Sequence, residues 1–321
     1  MEDDMKNFVT SRFFLRAIAI TVFALFSVIA ANAQCDTDAE TALYNKFLEG
    51  FKGSAEQQKA AYQNAKDYIA KFGKCPSDEE KKITAFIQKW MTAYESDLIE
   101  NNCINAAKTA PEEAFEQCQP YAAKDPENVR PYLLMTLAAS KNGKTTDPKY
   151  KEGAVRAARK ALELIAAGKT TEYWVFGKES GDAVGALNYW AGFYSLESSP
   201  SDSATFFLNA ARSTGAYAKE PAVYDALARA LYNSEYKAAA LEFNNKCSTT
   251  PVSECDALYA KAGEKLDRVI DAYARAVALS KDPASVATVK TYLTTLYKQR
   301  HENSDEGLDK FIAEVLSKPL P

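Results

Sequence analysis

Apolar residues recur at helical intervals along most of the chain, and the clearest pattern lies between residues 186 and 215. One helix face is marked by residues spaced three and four positions apart: Leu187, Trp190, Ala191 and Tyr194. After a Ser-Pro-Ser break at residues 199–201, a second face alternates small and large residues: Ala204, Leu208 and Ala211. The pattern therefore predicts two antiparallel helices joined by a short turn, which is a helical hairpin.

This hairpin resembles the tetratricopeptide repeat (TPR), whose first helix carries large, small and aromatic residues and whose second helix carries alanine, a bulky residue and alanine. Comparable runs follow one another over residues 126–319, with connectors of irregular length. The resemblance implies an all-α fold, a TPR-like solenoid of stacked antiparallel hairpins, with a concave surface that receives a peptide or protein. The same spacing also fits another α-solenoid or a globular α-bundle.

The repeat region contains several further predicted helices. A helix over residues 132–140 is followed by a partner with a small-residue face: Ala154, Ala158 and Ala161. A helix over residues 224–231 is expected to turn back at once into a second helix, residues 236–243. A long helix ends at Asp282-Pro283, and a last hairpin pairs residues 289–297 with residues 307–319. The apolar run at residues 173–176 lies between the helix that carries Ala154, Ala158 and Ala161 and the helix over residues 224–231. It is expected to pack against the fold.

The region before residue 126 also reads as helical hairpins. Capping boxes, in which a Ser or Thr is followed three positions later by Glu or Gln, are predicted at three helix starts: Ser54 with Gln57, Ser77 with Glu80, and Thr109 with Glu112. The longest apolar stripe follows the second of them: Ile83, Phe86, Ile87, Trp90, Tyr94 and Leu98. Helices are therefore expected throughout residues 34–125.

Residues 1–33 have the features of a secretory signal peptide. Two arginines precede an uncharged apolar run at residues 17–31, which ends in Ala31-Asn32-Ala33 before the expected cleavage point. As a helix the run would span roughly 22 Å, less than a hydrocarbon core of about 30 Å, so retention as an anchor is the weaker reading. Gln34 stands where a lipoprotein signal has a small residue. The protein is therefore expected to be exported, periplasmic or secreted, with no stable membrane insertion after cleavage.

Composition supports a globular helical protein and excludes some partners. The chain is 47% hydrophobic and 12% aromatic, which is enough to build a core, and its formal net charge is -4. It has no cluster of Lys and Arg of the kind that follows a phosphate backbone, so a nucleic-acid partner is not expected. Three parts are predicted: the signal peptide at 1–33, N-terminal hairpins with cysteine staples at 34–125, and the TPR-like repeat region at 126–321.

All six cysteines lie beyond the predicted cleavage point, an even number that fits disulfide bonding in an exported chain. Antiparallel helices bring the start of the first near the end of the second, which predicts bonds between consecutive cysteines: Cys35 with Cys75, Cys103 with Cys118, and Cys247 with Cys255. Six buried thiols are the alternative. Zinc is less expected than either, because no CxxC motif occurs and His301 is the only histidine.

The sequence offers little for catalysis. It contains no glycine-rich phosphate loop after a strand, no GxSxG and no HExxH, and the adjacent acids at 79–80 and 112–113 fit the first turns of helices. A glycosidase-like pair of facing carboxylates from different hairpins stays open as a lesser alternative. No enzyme activity, cofactor or metal is expected.

The concentration of aromatic side chains at residues 173–194 is the local feature most suited to binding. Four residues are candidates for contact with a partner: Tyr173, Trp174, Tyr189 and Phe193. Trp190 lies on the packing stripe and is expected in the core. The expected function is a non-catalytic scaffold for protein-protein or protein-peptide interaction in the cell envelope; a small-ligand binder for a glycan or peptide is the alternative. An open polar groove near Tyr173 would favour the first, and a closed apolar pocket the second.

Overall fold

The computed structural model describes residues 35–247 and 253–320, so the predicted signal peptide lies outside the described residues. Every regular element in these two ranges is a helix, which confirms the predicted all-α class. The chain divides into two compact units between Leu98 and Ile99. The predicted start of the repeat region at residue 126 stays a prediction. No helix among the described residues is both long and apolar enough to cross a membrane.

The first unit is built from helices α1 (Thr37–Gly50), α2 (Ala55–Phe72) and the first part of α3 (Asp78–Thr109). Two of the three predicted capping boxes are present: Ser54 and Gln57 exchange hydrogen bonds at the start of α2, and Ser77 and Glu80 do so before α3. The core of the unit includes three fully buried side chains: Phe47, Tyr68 and Ile87. The capping residues thus fix where two helices begin, and the apolar stripes bring the helices together.

The capping box predicted at Thr109 and Glu112 is wrong. Helix α3 continues to Thr109, whose hydroxyl donates to the carbonyl of Asn105 within the same helix. The next helix, α4 (Ala114–Lys124), begins without a side-chain cap. A threonine can bond back to a carbonyl one turn earlier as well as cap a following helix, and the sequence motif does not separate the two uses.

The second unit holds the rest of α3, then α4, α5 (Arg130–Lys141), α6 (Pro148–Ala166), α7 (Ser180–Ser195), α8 (Pro200–Ala211) and α9 (Pro221–Leu231). Each helix from α4 to α8 packs against the next one along the chain, and α5 also contacts α7. The predicted small-residue face of α6 is buried: Ala154, Ala158 and Ala161. Small residues on this face let α6 approach the neighbouring helices closely.

The hairpin that the sequence predicted most clearly is formed by α7 and α8. Leu187 and Ala191 are fully buried on α7, as predicted. On α8 the bulky core residue is Phe207, which is fully buried, whereas the predicted Leu208 is only partly buried. Gly192 makes room for the Phe207 ring, because a Cβ atom at Gly192 would lie 3.0 Å from Cε1 of that ring.

The predicted turn between residues 231 and 236 does not exist. Helix α9 continues through a π-helical turn, Tyr232–Tyr236, into α10 (Lys237–Cys247). Asn233 and Ser234, which resemble a break in sequence, donate hydrogen bonds back to the carbonyls of Arg229 and Ala230. The answering helix is instead α11 (Cys255–Leu279), which packs against both α9 and α10.

The last part of the unit consists of α12 (Pro283–Arg300), α13 (Leu308–Glu314) and a short 3-10 turn (Val315–Ser317). After this turn the backbone is held by Arg275 of α11, which donates to the carbonyls of Lys318 and Pro319 at 3.0 and 2.9 Å. Arg275 is 4% exposed and also pairs with Asp271 at 2.6 Å. The end of the described chain is therefore fixed by a buried charge rather than left loose.

The three predicted disulfide bonds are all formed. Their Cα–Cα separations are 5.9 Å for Cys35 and Cys75, 4.4 Å for Cys103 and Cys118, and 5.8 Å for Cys247 and Cys255. All three lie within the range of about 4.4–6.8 Å that a disulfide spans. The first bond links the connector after α2 to the residue pair just before α1, the second joins α3 and α4, and the third closes the tip of the α10–α11 pair.

Candidate functional site

An open cleft lies where the end of α4, the start of α5 and the connector after α6 come together. We call it the Tyr173 cleft, and its lining is Tyr121, Asp125, Glu127, Asn128, Arg130 and residues 169–173. Its volume is about 500 Å³, within the range of about 300–1,000 Å³ that is usual for ligand sites. Most of its lining side chains are polar, and it lies entirely within the second unit.

Tyr173 is the most exposed aromatic side chain of the cleft, at 59% of its full accessible surface. The guanidinium carbon of Arg130 lies 4.4 Å from the centroid of the ring, in a cation-π arrangement. The next residues of the segment turn inward, since Trp174, Val175 and Phe176 pack against the core formed by α5, α6 and α7. The expectation that this segment packs on the fold is confirmed for these three residues, while Tyr173 faces solvent.

Arg130 is held in the wall of the cleft by several partners. Its Nη1 donates to the carboxylate of Glu100, and its backbone N–H donates to the Asn128 side chain at 2.9 Å. Burial raises the pKa of the Tyr121 phenol and the charge of Glu100 adds to this, whereas hydrogen bonds from Asn128 and Arg130 oppose it. The Arg130 Nε is buried and has no hydrogen-bond acceptor among the described residues. The guanidinium is thus enclosed by the wall more than it is presented to a ligand.

The other charged groups of the cleft are mainly acidic. Lys169 Nζ lies 2.6 Å from the Glu127 carboxylate, and this hydrogen bond, together with the lysine charge, lowers the pKa of Glu127. Glu172 is exposed, and neither it nor Asp125 forms an ion pair with a described basic residue. The cleft therefore presents two carboxylates without a cationic partner beside an open tyrosine ring.

The candidate residues Tyr189 and Phe193 lie elsewhere, on α7. The Tyr189 ring packs 5.2–5.7 Å from the rings of Trp190, Phe207 and Tyr217, and burial raises the pKa of its phenol. Phe193 is 38% exposed and lies edge-on to Trp190 at 5.3 Å. Phe193 therefore offers some surface to a partner, and Tyr189 offers little. Their role in binding stays a prediction.

Sequence reasoning identified Tyr173 through the run of aromatic residues at 173–176, but it missed the residues around it. Arg130 and Tyr173 are 43 positions apart, and no local motif links them. Asp125 and Lys169 likewise belong to no motif that the sequence singles out. The contact between α5 and the connector after α6 depends on how the hairpins stack, which single-sequence periodicity does not specify.

One group of potential metal-ligating atoms is found among the described residues, formed by Cys35, Cys75 and Glu80. The two sulfur atoms are joined in a disulfide and so provide no thiolate. Glu80 accepts the hydrogen bond of the Ser77 capping box. This group is accounted for by helix capping and covalent bonding.

No protein-family model, no curated protein and no solved structure matches this chain. Its function is therefore inferred from its own geometry.

Proposed function

We propose that this protein is an exported, non-catalytic TPR-like scaffold that binds a peptide or protein partner, with the Tyr173 cleft as part of the contact surface. The three disulfide bonds are compatible with an exported protein. The neighbour-to-neighbour packing from α4 to α9 is compatible with stacked hairpins.

The observation that carries the proposal is the open polar cleft around an exposed aromatic ring that lies against Arg130. Exposed tyrosines provide large contact area at low cost in side-chain entropy, and they are enriched among residues that dominate binding energy. Stacking on Arg130 restrains the Tyr173 ring before any partner arrives, so less conformational freedom is lost on binding. An open groove of this kind suits an extended peptide or a protruding loop better than an enclosed small molecule.

The small-ligand alternative relied on the aromatic side chains of α7 and the connector before it. Trp174 packs on the core, and Tyr189 is enclosed by three other rings. These residues therefore contribute mainly to packing, which favours the interaction scaffold.

The test is affinity capture from an envelope fraction with the purified protein, its Tyr173→Ala variant and a matched control. Tyr292 of α12 is 58% exposed and does not line the cleft, so Tyr292→Ala removes an equally exposed ring. Wild type and Tyr292→Ala are expected to capture the same partner, and Tyr173→Ala is expected to lose it. Equal capture by all three proteins would exclude the Tyr173 cleft as the contact site.

A further inference from the structure

The charge of the Tyr173 cleft indicates which chemical group of a partner it accepts. Three lining residues carry carboxylates, Asp125, Glu127 and Glu172, and two carry cations, Arg130 and Lys169. A fourth carboxylate, Glu100, stands behind Arg130. Each cation is paired with its own acid: Arg130 with Glu100, and Lys169 with Glu127. The charge that remains for a ligand is negative.

An anionic ligand would have no free cation to meet. The Nε of Arg130 has no contact with solvent, its Nη1 is engaged by Glu100, and its guanidinium carbon lies over the Tyr173 ring, 4.4 Å from the centroid. Lys169 already donates to Glu127 at 2.6 Å. A carboxylate or phosphate would have to displace one of these acids and would also approach Asp125 and Glu172, which would repel it.

A cationic group would instead find three favourable contacts. Arg130 lies over the Tyr173 ring, and the residue still has 59% of its accessible surface open to solvent. Asp125 and Glu172 provide carboxylates in the same cleft. A planar guanidinium can stack on an aromatic ring while its edge donates two parallel hydrogen bonds to a carboxylate, which an ammonium group cannot do.

Resting on the function proposed above, we propose that the Tyr173 cleft binds an arginine side chain of the partner protein, held between the open surface of Tyr173 and the carboxylates of Asp125 and Glu172. The Arg130–Glu100 pair supports the ring from behind, and Glu100 offsets the repulsion between Arg130 and the incoming guanidinium. The formal net charge of -4 acts in the same direction at longer range by attracting a basic partner.

The proposal is tested with phage-displayed random heptapeptides selected on the purified protein. Peptides selected by wild type are expected to be enriched in arginine relative to the starting library. The strongest peptide is then synthesised with arginine or with citrulline, which keeps the size and planarity of the side chain but is neutral. The citrulline peptide is expected to bind about tenfold more weakly or worse by fluorescence anisotropy, because charge-assisted hydrogen bonds are replaced by neutral ones.

Variants assign this preference to the cleft. In Asp125→Asn/Glu172→Gln the difference between the two peptides should shrink to about twofold or less, since charge-assisted bonds to both carboxylates are then lost. Glu179→Gln removes an exposed carboxylate that does not line the cleft and should preserve the difference. Far-UV circular dichroism and the melting temperature establish that each variant is folded.

The outcomes separate the two proposals. If wild type selects no peptide, the peptide-binding function itself fails. If it selects peptides that need Tyr173 but lack arginine, are acidic, or tolerate citrulline, the arginine assignment is overturned and the binding function stands. If the double variant keeps the full preference for arginine, another surface is responsible and the assignment to this cleft is overturned.

Discussion

Replacing Phe207 by alanine tests the register of the α7–α8 hairpin. The side chain is fully buried, and its ring lies 5.7 Å from the Tyr189 ring and against the space left by Gly192. Truncation removes the ring and leaves a cavity between two helices, so the free energy of unfolding should fall by about 3–5 kcal/mol. For a domain of this size that corresponds to a fall in melting temperature of roughly 6–20 °C.

Leu208→Ala is the matched control, because Leu208 is the neighbouring residue and only partly buried. Its truncation should cost about 1–2 kcal/mol, since part of its surface is already in contact with water. Urea unfolding followed by far-UV circular dichroism measures both changes. If Leu208→Ala destabilises the protein as much as Phe207→Ala, helix α8 is rotated about its axis and the core described for this hairpin is wrong.

Three further predictions concern covalent and polar contacts. Replacing Cys103 and Cys118 together by serine should lower the free energy of unfolding by about 3 kcal/mol, given the sequence separation of 15 residues, as measured by urea unfolding. Arg275→Leu leaves Asp271 buried without its partner and should cost about 3–5 kcal/mol in the same assay. The double replacement Arg275→Leu/Asp271→Leu should restore only the part due to the unpaired carboxylate, because the carbonyls of Lys318 and Pro319 still lack their donor. Burial raises the pKa of the Tyr150 phenol to about 12, above its value of about 10 in the unfolded chain. The stabilisation that comes from this pKa difference is complete below pH 10 and is lost as the pH rises through 12. Tyr150→Phe should therefore flatten the decline in stability between pH 10 and 12, and an unchanged slope would assign that decline to other groups.

The sequence predicted the class of fold and the cysteine pairing because both depend on local spacing. Ala154 and Ala158, for example, repeat at the helical interval and are buried as expected. The even number of cysteines and their places relative to helix ends were enough to pair all six. Such signals need no knowledge of how distant parts of the chain meet.

The sequence did not predict features that depend on small rotations or distant contacts. Phe207 and Leu208 are adjacent on α8, and their different burial follows from the rotation of the helix about its axis. Asn233 and Ser234 favour breaks in many sequences, but here their side chains bond back to the helix, which continues. The cation-π contact between Arg130 and Tyr173 arises only once α5 and the connector after α6 are packed.

The π-helical turn at residues 232–236 contains one residue more than the corresponding turn of a regular α-helix. Counting four and seven positions on from Leu231 in α-helical steps leads to Glu235 and Ala238, whereas the buried residues are Tyr236 and Ala239, each one position later. The extra residue is absorbed in the turn, so the apolar faces of α9 and α10 stay in phase. Deleting a single residue within the turn would therefore preserve both faces, whereas a deletion between residues 237 and 246 would rotate Cys247 by about 100° away from Cys255. The combined length of α9 and α10 can therefore change by one residue at the wider turn, residues 232–236, without a change in which faces are buried.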